Sequence, residues 1–214
     1  MPPSDSPGRT ATIEQMRRGA STVVILVGSA PGQVLAAVGR SMNVALIRPE
    51  DPGADASGGL VAAADALRRA GRATSPYALV LADPLADVAA SWRAMWDVSR
   101  QPGPAGFERE AATTVTAWRT GLFELPDYYL VLAAGPGESE AGAHGPDFYL
   151  GPLRSARPHR VAVVAATEPA QQAVGVLQAL GSLRHGPWWW PGLDEVIETA
   201  RTFYPDSLAG RSTG

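Results

Sequence analysis

The chain has 214 residues, is 45% hydrophobic and carries a formal net charge of −3, which suits a globular protein and lacks the basic excess of nucleic-acid-binding proteins. It contains no cysteine and all 18 basic residues are arginines, which excludes disulfides, thiolate nucleophiles, cysteine-ligated metals and lysine Schiff bases. No apolar run reaches the roughly 18 residues of a membrane span, and the first ten residues are polar, so we expect a cytoplasmic protein without membrane contact.

Apolar runs rich in β-branched residues alternate with helical patterns along the chain. Short turns of small residues, often with a proline, separate each run from the helical pattern that follows. In chain order, the predicted elements are a strand over 22–27, a helix to about 39, a strand over 43–47, a helix over 60–70, a strand over 77–82, helices over 85–100 and 107–122, a strand over 128–133, a strand over 160–165, a helix ending near 180–181, and a helix over 193–203.

The predicted strands are almost continuously apolar, which is typical of sheets that helices cover on both faces. Strands that alternate with helices indicate parallel pairing through βαβ crossovers. We therefore predict an α/β fold: a Rossmann-like, doubly wound, mostly parallel sheet of about five strands with helices on both faces. The domain is expected to span residues 11–204, between flexible tails at 1–10 and 205–214.

Two apolar stripes at helical spacing predict the buried faces of the helices that follow the third strand. Their members are Leu85, Val88, Ala89, Trp92 and Trp96 in the first helix, and Phe107, Ala111, Val115, Trp118 and Leu122 in the second. Side-chain caps are predicted at Asp83, ahead of Pro84, and at Thr167, ahead of Pro169.

The turn after the first strand is the leading candidate for a binding site. Gly28 and Gly32 lack a Cβ, so a ligand could approach the backbone closely there, with Ser29 and Ala30 between them. Free N–H groups at the start of the following helix favour an anionic or polar ligand. The alternative, a tight turn that does no more than start the helix, stays open.

Within this turn, Ala30-Pro31-Gly32 resembles a version of the small-residue loop of class I methyltransferases, which bind S-adenosylmethionine. The resemblance implies that an acidic residue after the second strand, Glu50 or Asp51, would hold the ribose hydroxyls, and that Asp83 would lie near the base. The acidic residue usual ahead of the first glycine is absent, and no catalytic motif follows the fourth strand. Whether the domain is an enzyme therefore stays open, with S-adenosylmethionine as the leading cofactor candidate.

Other catalytic and metal sites find less support in the sequence. Ser29 stands at a strand–helix turn, but Pro31 occupies the position that a GxSxG nucleophile elbow gives to glycine. The three histidines have no partner that spacing identifies. One Gly-rich loop holds several potential ligands without the spacing of a zinc motif, so no metal is assigned to Glu138, Glu140, His144 and Asp147.

Three consecutive tryptophans, Trp188, Trp189 and Trp190, stand between Pro187 and Pro191. Because tryptophan is enriched at binding hot spots, this loop supports an alternative function. The protein would then be a non-catalytic interaction or assembly protein that contacts a second copy or another protein through the three indoles. A loop that covers the core is the other interpretation.

Overall fold

The computed structural model describes residues 21–50, 58–96, 104–133, 146–186 and 192–203. In these ranges, five parallel strands form one sheet in the order β2-β3-β1-β4-β5. The strands are β1 Thr22–Val27, β2 Val44–Ile47, β3 Tyr77–Val80, β4 Tyr128–Leu132 and β5 Val161–Val164. The fold is therefore α/β with a Rossmann-like, doubly wound sheet, as the alternation of apolar runs and helical patterns predicts.

The helices are α1 Gly32–Gly39, α2 Gly58–Ala70, α3 Ala86–Met95, α4 Pro104–Arg119, α6 Pro169–Ser182 and α7 Leu193–Thr202, with a short segment α5 between α4 and α6. The segment α5 consists of a π-helical turn, Tyr149–Leu153, that continues into one α-helical turn, Arg154–Ala156. A 3₁₀ turn, Pro158–Arg160, leads into β5. Among the described helices, none has the length and apolar character needed to cross a membrane.

Side chains of the central strand β1 alternate between two cores. Val23, Ile25 and Val27 point to the face covered by α2, α3, α4, α5 and α7, which we call the α3 face. Val24 and Leu26 point to the opposite face, which α1 and α6 cover and which we call the α1 face. Because both faces are covered, every residue of β1 is buried, which explains its continuous apolar run.

Helix boundaries differ from the sequence prediction in two informative places. The predicted helix to residue 122 ends at Arg119, because Gly121 adopts a φ of 74°. The N–H groups of Gly121 and Leu122 then bond back to Trp118 and Ala117, closing a Schellman cap and leaving Leu122 38% exposed. The cap predicted at Thr167 was also wrong, since Glu168 precedes α6 and no side chain caps it.

A buried carboxylate fixes the register between β1 and β4. Asp127, which is 0% exposed, accepts a hydrogen bond at its Oδ2 from the Val23 N–H at 2.7 Å. Its own backbone N–H donates to the Val23 carbonyl at 2.8 Å. The two bonds precede the strand pairing that begins with Val24 opposite Tyr128, so they hold the amino ends of both strands together.

Candidate functional site

The turn between β1 and α1 lies where the connections that follow adjacent strands cross to opposite faces of the sheet. From β1 the chain passes to α1 on the α1 face, whereas α3 and α5, which follow β3 and β4, lie on the α3 face. Since β1 lies between β3 and β4, the turn sits at a topological switch point. In doubly wound sheets, ligands bind in the crevice outside the carboxyl ends of the strands at such a point. The Gly28–Gly32 turn therefore lies at the place in the sheet where such folds bind ligands, and its role as a site stays a prediction.

Gly28 brings the backbone of this turn against the end of β4. Its φ is 100°, a conformation that L side chains rarely adopt. A Cβ at Gly28 would lie 3.2 Å from the Leu132 Cβ and 3.3 Å from the Leu132 carbonyl oxygen. Glycine is thus required here by both the backbone conformation and the close approach of β4.

Among the described residues, nothing covers the start of α1. Pro31 is its N-cap residue, and no described side chain caps the helix. A Cβ at Gly32 would find no described atom within 4 Å, and Ser29 is exposed beside it. The first N–H groups of a helix and its dipole attract negative charge, so this end of α1 suits an anionic group.

Asp83 follows β3, the strand that lies next to β1. The β1–β3 register ends with Ile25 opposite Val80, and both strands run toward the same edge of the sheet, where Gly28 and Asp83 follow them. The Asp83 Oδ1 accepts a hydrogen bond from the Leu85 N–H at 2.9 Å, but Leu85 is the N-cap residue of α3 and no described side chain caps that helix, so the cap predicted at Asp83 was wrong. The Tyr129 hydroxyl donates to the same oxygen at 3.3 Å, and the Tyr149 hydroxyl donates to Oδ2.

The three side chains Asp83, Tyr129 and Tyr149, which we call the Asp–Tyr cluster, have shifted pKa values. Burial raises the pKa of Asp83 to about 6, although the hydrogen bonds from both tyrosines and from Leu85 oppose the shift. Burial and the negative charge of Asp83 raise the pKa of both tyrosines well above 10.0, so their hydroxyls remain donors. A carboxyl group that titrates near neutral pH could exchange a proton with a neighbouring ligand.

The acidic residues after β2 have a different position. In the sheet order, β3 separates β2 from β1, so Asp83 and not Glu50 follows the strand beside the turn. The Glu50 side chain is 80% exposed and lies 3.6 Å from the Arg69 guanidinium. Asp51 lies outside the described residues. A contact of Glu50 or Asp51 with a ribose thus stays a prediction.

The remaining predicted residues are placed as follows. Trp188, Trp189 and Trp190 lie outside the described residues, as do both predicted tails and the loop with Glu138, Glu140 and His144. Asp147 of that set forms an ion pair with Arg93 at 3.4 Å. Within the described part of the chain, no group of three or more histidine and acidic side chains is arranged to hold a metal ion.

Three polar residues near the carboxyl edge of the sheet were not predicted from the sequence as candidates. Tyr129 and Tyr149 complete the Asp–Tyr cluster, and Gln172 lies buried in the first turns of α6. The signals were a tyrosine pair inside an apolar strand, Tyr128 and Tyr129, and a glutamine on the apolar stripe of a helix. Each signal is a polar group at a position that the pattern predicts to be buried, which requires a partner.

Comparisons with known proteins provide no family assignment. No protein-family model matches the chain, and no curated protein matches it. Two solved structures of NadR protein are similar in fold, one in complex with NAD and AMP-PNP and one in complex with NR. Each is 15% identical over 81% of this chain with a TM-score of 0.49. This chain covers 53% and 55% of those two chains, so it spans about half their length.

Proposed function

We propose that the domain binds a nucleoside-type small molecule in the crevice at the Gly28–Gly32 turn, with an anionic group of the ligand at the start of α1. The observation that carries this proposal is the position of the turn. It lies at the topological switch point of the sheet, and it leads into a helix start that no side chain caps.

Two further features support the proposal. Among the described residues, space at Gly32 leaves room for a ligand against the backbone, and Asp83 follows β3, the strand next to β1. S-adenosylmethionine is the first candidate because of the Ala30-Pro31-Gly32 resemblance, and methyl transfer would then be the reaction. In this arrangement Asp83 would be the acidic residue next to the ligand, since it follows β3 and β3 lies next to β1.

A thermal-shift screen tests the proposal. The purified protein is mixed with S-adenosylmethionine, S-adenosylhomocysteine, NAD(P) and common nucleotides, each in separate wells. A ligand present at about 100 times its Kd adds about 2.7 kcal/mol to the free energy of unfolding, which raises the midpoint measurably. We expect such a shift with one class of nucleoside ligand.

A matched pair of glycine variants then locates the site. Gly32→Leu places a side chain in the open space at the start of α1. Gly181→Leu does the same near the end of α6, where a Cβ also finds no atom within 4 Å. The shift should disappear in Gly32→Leu and persist in Gly181→Leu. An unchanged shift in Gly32→Leu would refute the site, and no shift with any ligand in the wild-type protein would refute the function.

A further inference from the structure

We propose that Gln172 recognises the ligand that binds in this crevice. Its buried side-chain amide would form hydrogen bonds with a donor–acceptor edge such as that of an adenine base. This inference rests on the proposed function and names the part of the ligand that the α1 face recognises. It assigns the anionic end of the ligand to the start of α1 and the base to the first turns of α6.

The side-chain oxygen of Gln172 is buried and has no hydrogen-bond partner among the described residues. The residue is 2% exposed, and its Oε1 accepts no hydrogen bond from any described residue. Its backbone N–H donates to the Glu168 carbonyl at 2.7 Å. A buried polar group without a partner costs about 1–3 kcal/mol, so buried amides are almost always paired. The adjacent Gln171 is exposed, as a helix position without a polar partner normally is.

The geometry of α6 directs this amide toward the crevice. Gln172 precedes Val176 and Leu180 on the stripe that packs against the sheet, at i, i+4 and i+8. In an α-helix the Cα–Cβ bond tilts toward the N-terminus, so the side chain points to the end where α6 begins. That end lies at the carboxyl edge of the sheet, because α6 follows β5 directly.

The same edge holds the start of α1. The helices α1 and α6 pack side by side on the α1 face, and both begin at the carboxyl edge. Within the described part of the chain, no side chain caps either helix start. The crevice therefore presents two helix starts that attract an anion and one neutral amide that can accept and donate a hydrogen bond.

The chemistry of the amide selects the ligand class. A primary amide pairs with an edge that carries a donor next to an acceptor, as in the bidentate pairing of glutamine with adenine. A purine that lacks the amino group would leave Oε1 without a partner, and it should bind more weakly. AMP and purine riboside monophosphate differ by that amino group, so they are suitable probes.

Two variants test the role of Gln172. Gln172→Met keeps the length of the side chain and removes the amide, and Gln171→Met makes the same change at the exposed neighbour. The first readout is the unfolding midpoint without ligand, which should stay equal or rise in Gln172→Met because an unpaired polar group is lost. A clear fall would show that the amide is bonded within the chain, and it would overturn the inference whatever the ligand.

The second readout is binding of both probes by titration calorimetry. We expect wild type and Gln171→Met to bind AMP about tenfold more tightly than purine riboside monophosphate, and Gln172→Met to lose this preference through weaker AMP binding. Equal AMP binding by wild type and Gln172→Met would overturn the inference while leaving the proposed function intact. Failure of the wild-type protein to bind either probe, or any ligand of the screen, would refute the proposed function as well.

Discussion

The carboxyl group of Asp83, at the end of β3, accepts a hydrogen bond from the Tyr129 hydroxyl in β4 at 3.3 Å. Since β1 separates these two strands, the bond crosses the end of the central strand at the edge where the Gly28–Gly32 turn begins. The Asp–Tyr cluster thus braces one wall of the candidate crevice. It also makes the stability of this wall depend on pH.

The first prediction concerns Asp83→Asn. The folded state raises the pKa of this carboxyl from 3.8 to about 6, so the unfolded chain loses its proton first as pH rises. Wild-type stability should therefore fall between these two pH values and stay lower above them, by on the order of 2–3 kcal/mol at about 1.4 kcal/mol per pKa unit. The asparagine variant lacks this loss, so its unfolding midpoint should rise relative to wild type from about pH 4 to pH 7. Parallel pH profiles for the two proteins would contradict the raised pKa of this carboxyl.

The second prediction concerns Tyr149→Phe. This change removes a hydroxyl that donates to the Asp83 carboxylate, so it should cost about 1.5–3 kcal/mol in the pH range where Asp83 is ionised. The cost should shrink below about pH 5, where the carboxyl is protonated. Tyr128→Phe is the matched control, because that hydroxyl makes a long bond of 3.5 Å to the Arg184 carbonyl. Chemical denaturation at two pH values measures the loss in free energy of unfolding for both variants. A loss in Tyr149→Phe that does not change with pH would contradict the hydrogen bond to an ionised Asp83.

The third prediction concerns Gly28→Ala. The φ of 100° and the Leu132 atoms at 3.2 and 3.3 Å both oppose a side chain, so we expect a loss of about 1–3 kcal/mol in the free energy of unfolding. Gly32→Ala, at the other end of the turn, meets no atom within 4 Å and should change stability little. Urea denaturation compares the two variants. Equal effects would mean that the turn does not need glycine at residue 28.

The fourth prediction concerns Asp127→Ala. Loss of the carboxylate leaves the buried Val23 N–H without its bond of 2.7 Å, which should cost about 1–3 kcal/mol or more. Asp194→Ala removes a carboxylate from an exposed ion pair with Arg119 and should have a much smaller effect. Hydrogen exchange at Val23 adds a local readout, since its amide should exchange faster in Asp127→Ala only.

The central strands follow from the sequence because helices bury them on both sides. A continuous apolar run such as Thr22–Val27 then suffices to predict a strand. The π-helical turn Tyr149–Leu153 escaped prediction, since Gly151 and Pro152 are typical of loops. Tertiary packing explains Gly151, where a Cβ would lie 2.8 Å from the Phe203 ring.

Only part of the candidate site could be predicted from the sequence. The turn at Gly28 is local in sequence, so its glycines and its helix start could be predicted. The neighbour of β1 could not, because strand order depends on how far each crossover travels across the sheet. In the structure β3 is that neighbour, so Asp83 and not Glu50 follows the strand next to β1. Gln172 could not be predicted as a candidate, because its burial and its unpaired side-chain oxygen depend on tertiary packing.

The central position of β1 also bears on how the chain reaches its fold during synthesis. The first described strand, β1, pairs only with β3 and β4. The Val23 N–H donates to the carboxylate of Asp127, which lies 104 residues further along the chain. Closing such distant contacts is slow, because loop entropy is lost before the contacts form. The longest strand therefore leaves the ribosome long before its second neighbour exists. A nascent chain that has emerged only through α3 should be a substrate for chaperones that hold exposed apolar segments.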